Sequence, residues 1–268
     1  MTENNVRIRE LVGWALDEDE YRPATYDRQK QFRAQQLVSQ RAPFEPLSAL
    51  LTDETEAIQD LLAQHASRSD LLAEMTGLNW SLGVVDLRRL IAFQRRIASS
   101  PSQPILSSPQ PDDWPAHAAI SFTASKPPQY EMIQNPGANT IVFRSYNPNL
   151  SLRFSADPSS PISLHGGSPF FEVARYRDRW FLRDGYHRAY HLLRANIFRI
   201  PAVIVYARTL EELGATQPWF FQEEILFSPT PPRVIDFLDG TLVLEYNRRL
   251  LIKTVRVKIE ESFAPLTA

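Results

Sequence analysis

Residues 170–207, FFEVARYRDRWFLRDGYHRAYHLLRANIFRIPAVIVYA, constrain the fold more than any other stretch of the chain. Aromatic and β-branched residues in 170–176 and 179–183 suit two strands, and Arg177-Asp178 between them suits a hairpin turn. A polar segment follows, Asp184-Gly185-Tyr186-His187-Arg188. Residues 186–196 then carry Ala189, Leu192 and Leu193 at helical spacing, and Asn196 can close that helix in a left-handed cap. Residues 200–206 (IPAVIVY) are almost wholly apolar, as in a strand covered on both faces. Two strands, a helix and a buried strand in that order predict an α+β core.

The flanks read differently. Residues 1–100 predict a helical accessory region. Ile8, Leu11, Val12 and Ala15 could share one side of a short helix, 26–41 forms a second, and 47–65 a third in two pieces. Ser69 could cap a further helix that Gly77 ends. Residues 84–97 (VVDLRRLIAFQRRI) read as a helix with Arg88, Arg89, Arg95 and Arg96 on its basic face. Residues 101–139 are dense in Pro and Ser, which predicts a wrapped connection with one strand at 118–124. From residue 140 the period becomes two. TIVFRSY and LSLRF read as strands joined by Asn147-Pro148-Asn149, SADPSSP as a loop, and 241–246 with 250–259 as a C-terminal hairpin. The segment 140–268 is therefore expected to be the α+β core with a C-terminal extension.

Charge and cysteine content narrow the function classes. Lys and Arg total 29 against 31 Asp and Glu, a formal net charge of −2. That balance weighs against bulk binding of nucleic acid, which rests on surplus Lys and Arg. The sequence has no cysteine, so thiolate metal sites and Cys nucleophiles are excluded. The opening MTENNVRIRELV lacks the apolar centre of a signal peptide, and no run reaches the roughly 18 apolar residues of a membrane span. A cytoplasmic protein with no membrane partner is the expectation.

Chemistry concentrates at the polar turn. Gly185 permits a backbone conformation closed to other residues, and a helix N-terminus presents N–H groups and a positive dipole end that suit an anion. His187 and Arg188 add two side-chain donors, and Arg can grip phosphate oxygens in pairs. Asp184 could cap the helix or act as a proton acceptor. His187 and His191 are one helical turn apart, but no third metal ligand is evident, so no metal site is assigned. His165, Gly166 and Gly167 form a candidate second loop. Glu172 and Arg175 on the preceding strand are further candidates whose direction the sequence does not fix.

The order strand, D-G-x-H-R, helix, I-P-A-V-I-V resembles the ParB N-terminal and sulfiredoxin-like superfamily. The matching residues are Asp184, Gly185, His187 and Arg188, then Ile200, Pro201, Val203 and Val205, within residues 140–210. The resemblance implies a mixed β-sheet core that binds the phosphates of ATP or CTP, usually with Mg²⁺, through Gly185, His187 and Arg188. Asp184 is similar to the carboxylate that serves as base towards serine in the archaeal free serine kinase. Two departures limit the likeness. Sulfiredoxin needs a Cys where this chain has Tyr186, so that reductase activity is excluded. Partition ParB proteins carry an Arg-rich box and a helix-turn-helix domain, whereas this chain has His187 and a single Arg188. The expected function is binding of a nucleotide or other phosphate ligand at Asp184–Arg188, with phosphotransfer or nucleotide hydrolysis as the enzymatic form. The alternatives are a non-catalytic ligand-sensing module contacting a protein partner through residues 1–100, and, less favoured, a DNA-binding protein or nuclease.

Overall fold

The computed structural model describes residues 5–18, 21–23, 27–99, 109–154 and 161–263. Residues 100–108 of the Pro- and Ser-rich connection, 155–160 of the SADPSSP loop and Tyr26 of the second expected helix lie outside the described residues. The chain is α+β, with strands and helices interleaved from the N-terminus onward. It divides into two compact units, one made of residues 1–124 and 168–249, the other of 125–167 and 250–268. The divisions therefore fall at 124/125, 167/168 and 249/250, and residues 1–100 belong to the same unit as the 170–207 stretch.

The first unit holds two sheets. One has the order β13-β1-β5, from Val243–Arg249, Asn5–Leu11 and Arg96–Ser99. The other has the order β2-β3-β12-β10-β11-β4. Its strands are Leu50–Leu51, Trp80–Asp86, Arg199–Ala207, Glu172–Tyr176, Arg179–Asp184 and Ile91–Ala92. β10 and β11 form the expected hairpin, with Arg177 in the left-handed region at φ 54°. β12 runs parallel to β10 and antiparallel to β3. Flanked on both edges, it is buried from Ile200 to Val205, as an unbroken apolar strand requires. The helices of this unit are α1 (Arg28–Ser39), α2 (Thr52–Ala57), α3 (Gln59–Ala66), α4 (Ser69–Glu74), α5 (Trp114–Ser121), α6 (Tyr186–Arg194), α7 (Leu210–Leu213) and α8 (Glu223–Leu226). α7 is capped at both ends: the Thr209 side chain accepts from Glu212 N–H, and Gly214 ends the helix at φ 83°. Phe170, Phe171, Phe181, Phe221 and Phe237 are among its largest fully buried side chains.

The second unit contains a three-stranded sheet, β14-β7-β6, from Lys253–Lys258, Thr140–Ser145 and Glu131–Asn135. It also contains a hairpin of β8 (Ser151–Phe154) and β9 (Ile162–His165).

Four expectations are corrected. Residues 5–11 form β1, not a helix: Val6, Ile8 and Glu10 alternate inward, and a buried acid in the third place hides the period of two. Residues 84–97 are β3, a single 3₁₀ turn at Leu87–Arg89, β4 and the start of β5. There the Asp86 carboxylate accepts from Arg88 N–H at 3.0 Å and from the Arg88 guanidinium, a local turn that competes with helix. The expected strand at 118–124 is largely α5, started by Asp113, which accepts from Ala116 N–H at 3.0 Å, with Pro115 in the first turn. The C-terminal hairpin does not form, because β13 pairs with β1 while β14 pairs with β7. Residues 1–100 thus form a mixed segment that supplies β1 to β5 as well as α1 to α4. No helix among the described residues is long and apolar enough to cross a membrane.

Candidate functional site

The site is built at the open end of the β10–β11 hairpin. Val173 pairs with Leu182, but the next pair is Glu172 with Asp184, so Arg183 is an extra residue and the ladder is bulged. A bulge re-aims side chains. Here it sets Asp184 opposite Glu172 while the Arg183 guanidinium turns back onto Glu172 Oε2. Arg183 Nε also donates to Glu212 O at 3.1 Å. Glu172 is fully buried, and its second oxygen, Oε1, has no hydrogen-bond partner. The sequence named Glu172 without a direction. Its position against the bulge supplies one.

Gly185 follows at φ 101°, and a Cβ there would stand 2.7 Å from Phe171 Cδ2. Both the backbone and the neighbour demand glycine. α6 starts at once, with no side-chain cap, and its first intrahelical bond runs from Ala189 N–H to Gly185 O at 2.8 Å. The N–H groups of Tyr186, His187 and Arg188 precede that bond, at the positive end of the helix.

Asp184 keeps 35% of its side-chain surface in solvent and lies 3.8 Å from Arg188. Burial of the carboxyl, reinforced by the Glu172 charge, pushes its pKa up to about 7. Arg188, the Gly185 N–H and Arg183 oppose that rise without cancelling it. The exposed third relieves part of the desolvation.

The three residues after Gly185 are held tightly. Tyr186 OH donates to Leu182 O at 2.9 Å and accepts from the Phe93 and Gln94 N–H groups at 3.0 and 3.2 Å. Burial pushes this phenol's pKa up. His187 Nε2 lies 2.6 Å from Ala98 O, so that nitrogen carries the proton, and burial lowers the ring's pKa. Arg188 donates to Ile120 O at 3.1 Å, Pro169 O at 2.8 Å and Phe170 O at 2.6 Å. Its guanidinium also stands 5.7 Å from the centre of the Phe171 ring. The structure therefore engages both expected phosphate-gripping side chains with backbone carbonyls of other segments. The N–H groups of the first helical turn have no carbonyl partner within α6.

The other candidates have local roles. His165, Gly166 and Gly167 belong to the second unit. There His165 Nε2 lies 2.8 Å from Arg153 Nη2, Gly166 O accepts from Asn147 Nδ2 at 2.7 Å, and Gly167 turns at φ 94°. Arg175 is exposed on β10. His191 packs edge-on against Tyr190, and no group of three or more His, Asp or Glu side chains able to hold a metal occurs among the described residues.

Sequence reading missed a second polar centre around Glu10. This fully buried carboxylate accepts from Arg22 at 2.7 Å and from Tyr246 OH at 3.0 Å, with Arg96 at 2.8 Å. The signal was Glu at an inward place of an alternating strand. Its saturation by cations fits a structural role, tying β1 to β13 and β5.

Compared with known proteins, the chain matches no family model, no curated protein and no solved structure.

Proposed function

We propose that the Asp184–Arg188 corner binds a phosphate-bearing small molecule, a nucleotide such as ATP or CTP, and that Asp184 is the base of a phosphoryl transfer to a hydroxyl. One observation carries the reading. A partly exposed carboxyl with its pKa raised to about 7 stands where an uncapped helix begins. A base poised near neutrality suits removal of a hydroxyl proton, and helical N–H groups suit phosphate oxygens. Phosphoryl transfer asks mainly for positioning and charge stabilisation, which such a corner supplies. The hairpin, glycine turn, helix and buried strand also support a ParB/sulfiredoxin-like core, which remains part of the proposal.

The contacts differ from those the resemblance implies. Main-chain N–H groups of the first α6 turn would meet the phosphates, while His187 and Arg188 hold the turn in shape. An accompanying Mg²⁺ would be carried on the nucleotide's own phosphates, since no group of three or more His, Asp or Glu side chains able to hold a metal occurs among the described residues. The ion would neutralise phosphate charge.

A second reading is favoured by those internal bonds. With His187 and Arg188 engaged, the corner can act as a non-catalytic sensor whose ligand stiffens α6. A thermal-shift series with ATP, CTP and inorganic phosphate, with and without Mg²⁺, tests both readings, because a ligand of the folded state raises the melting temperature. No shift with any of them removes the phosphate site. If a nucleotide binds, Asp184→Asn is expected to keep binding and lose turnover under the first reading. Under the second, the unaltered protein turns nothing over.

A further inference from the structure

We propose that Glu172 and Asp184 share one proton across the bulged end of the β10–β11 pair and work as a single acid–base unit, with Asp184 as its solvent-side member. The two residues are directly opposed in antiparallel strands. Opposed Cβ atoms stand about 4.5–5.5 Å apart, and two like charges in that relation are destabilising. Glu172 has one oxygen tied to Arg183 and the other buried without a donor. A buried acceptor left without a hydrogen bond is costly, and a proton between the two carboxyls removes both the repulsion and the missing bond.

The neighbours cannot perform that role. From β11, Arg183 is taken up by Glu172 Oε2 and Glu212 O. From α6, Arg188 stays 3.8 Å from Asp184 and donates to three carbonyls, while Tyr186 OH donates to Leu182 O. Arg183 and Arg188 are the cations that act on Asp184, and each has another acceptor, while the Gly185 N–H donates to Asp184 itself. The direction of the Asp184 shift, to which Glu172 contributes, agrees with the geometry. In the proposed transfer, on whose reading only this step rests, the hydroxyl O–H bond breaks and its proton passes to Asp184. The oxygen's electron pair forms the new P–O bond as the bond from that phosphorus to the nucleotide's bridging oxygen breaks, and the nucleoside diphosphate leaves with the electron pair of the broken bond.

The test is a ¹³C NMR titration of the carboxyl carbons in the full chain without ligand, from pH 4 to 9. The Asp184 resonance is expected to move with a midpoint near 7, and the Glu172 resonance to shift in step with it. In Glu172→Gln, the Asp184 midpoint should fall yet stay above the ordinary carboxylate range, because burial persists. In Asp184→Asn, Glu172 should no longer move at that midpoint. The idea is overturned if the two carboxyls move at unrelated midpoints in the unaltered protein, or if Asp184 titrates identically without Glu172. The unaltered protein decides the matter even where a variant does not fold. Because no nucleotide is present, co-titration without any nucleotide-induced thermal shift would uphold the pair while removing the phosphate site. Binding with independent titration would do the reverse.

Discussion

Asp184 makes a stability prediction whose sign is unusual for an acid. Its folded pKa of about 7 lies above the roughly 3.9 of an unfolded chain, so between those values the folded state binds more protons. Stability therefore falls as pH rises from about 4 to about 7, and the cost is complete above that. Asp184→Asn removes the ionisation. It should stabilise the protein at pH 8 by about 1–3 kcal/mol, discounted for the exposed third of the side chain, with the gain vanishing near pH 4. Urea unfolding at both pH values checks this, and a constant difference would refute it. Gly185 makes the opposite prediction. Gly185→Ala meets both a left-handed φ and the Phe171 ring, and should cost about 2 kcal/mol or more in the same assay.

At the scale of the element, α6 is fixed to its surroundings at its first turn. Tyr186, His187 and Arg188 bond to the main chain at Leu182, Phe93, Gln94, Ala98, Ile120, Pro169 and Phe170. Arg188→Lys keeps the charge but replaces a planar fork by a point donor, so at least one of three carbonyls loses its partner. A loss of about 2–3 kcal/mol in unfolding free energy is expected. An Arg188 whose only work was to grip phosphate would leave the unliganded protein's stability unchanged. The sequence showed the turn and its residue types. It could not show that His187 and Arg188 point inward, because their acceptors lie between 18 and 89 positions away along the chain, at Ala98, Ile120, Pro169 and Phe170.

At the scale of the whole molecule, the segment expected to be the α+β core, 140–268, takes strand partners from outside itself. β12 needs β3, β11 needs β4, and β13 needs β1, all from the first hundred residues. A fragment of residues 140–268 leaves those strand edges bare. Its two-dimensional amide NMR spectrum should show no dispersed resonances for β11 and β12, while the full chain shows them. A fragment with native-like dispersion in those strands would overturn the prediction.

The unit from residue 170 to 207 was legible from sequence because its signals are local. A two-residue hairpin turn, a glycine at positive φ, an apolar stripe of period 3.6 and an unbroken apolar strand each constrain neighbours within a few positions. The strands at 5–11 and within 84–97 were misread because their inward places hold Glu10 and Asp86, charges that burial tolerates only once distant arginines or a local turn satisfy them. The same reason separates site residues from site chemistry. Sequence placed Asp184, Gly185, His187 and Arg188 at one corner. Only the tertiary structure decided that Arg188 and His187 meet carbonyls and that a bulge opposes Glu172 to Asp184, since pairing across strands and burial from water are properties no local window of sequence contains.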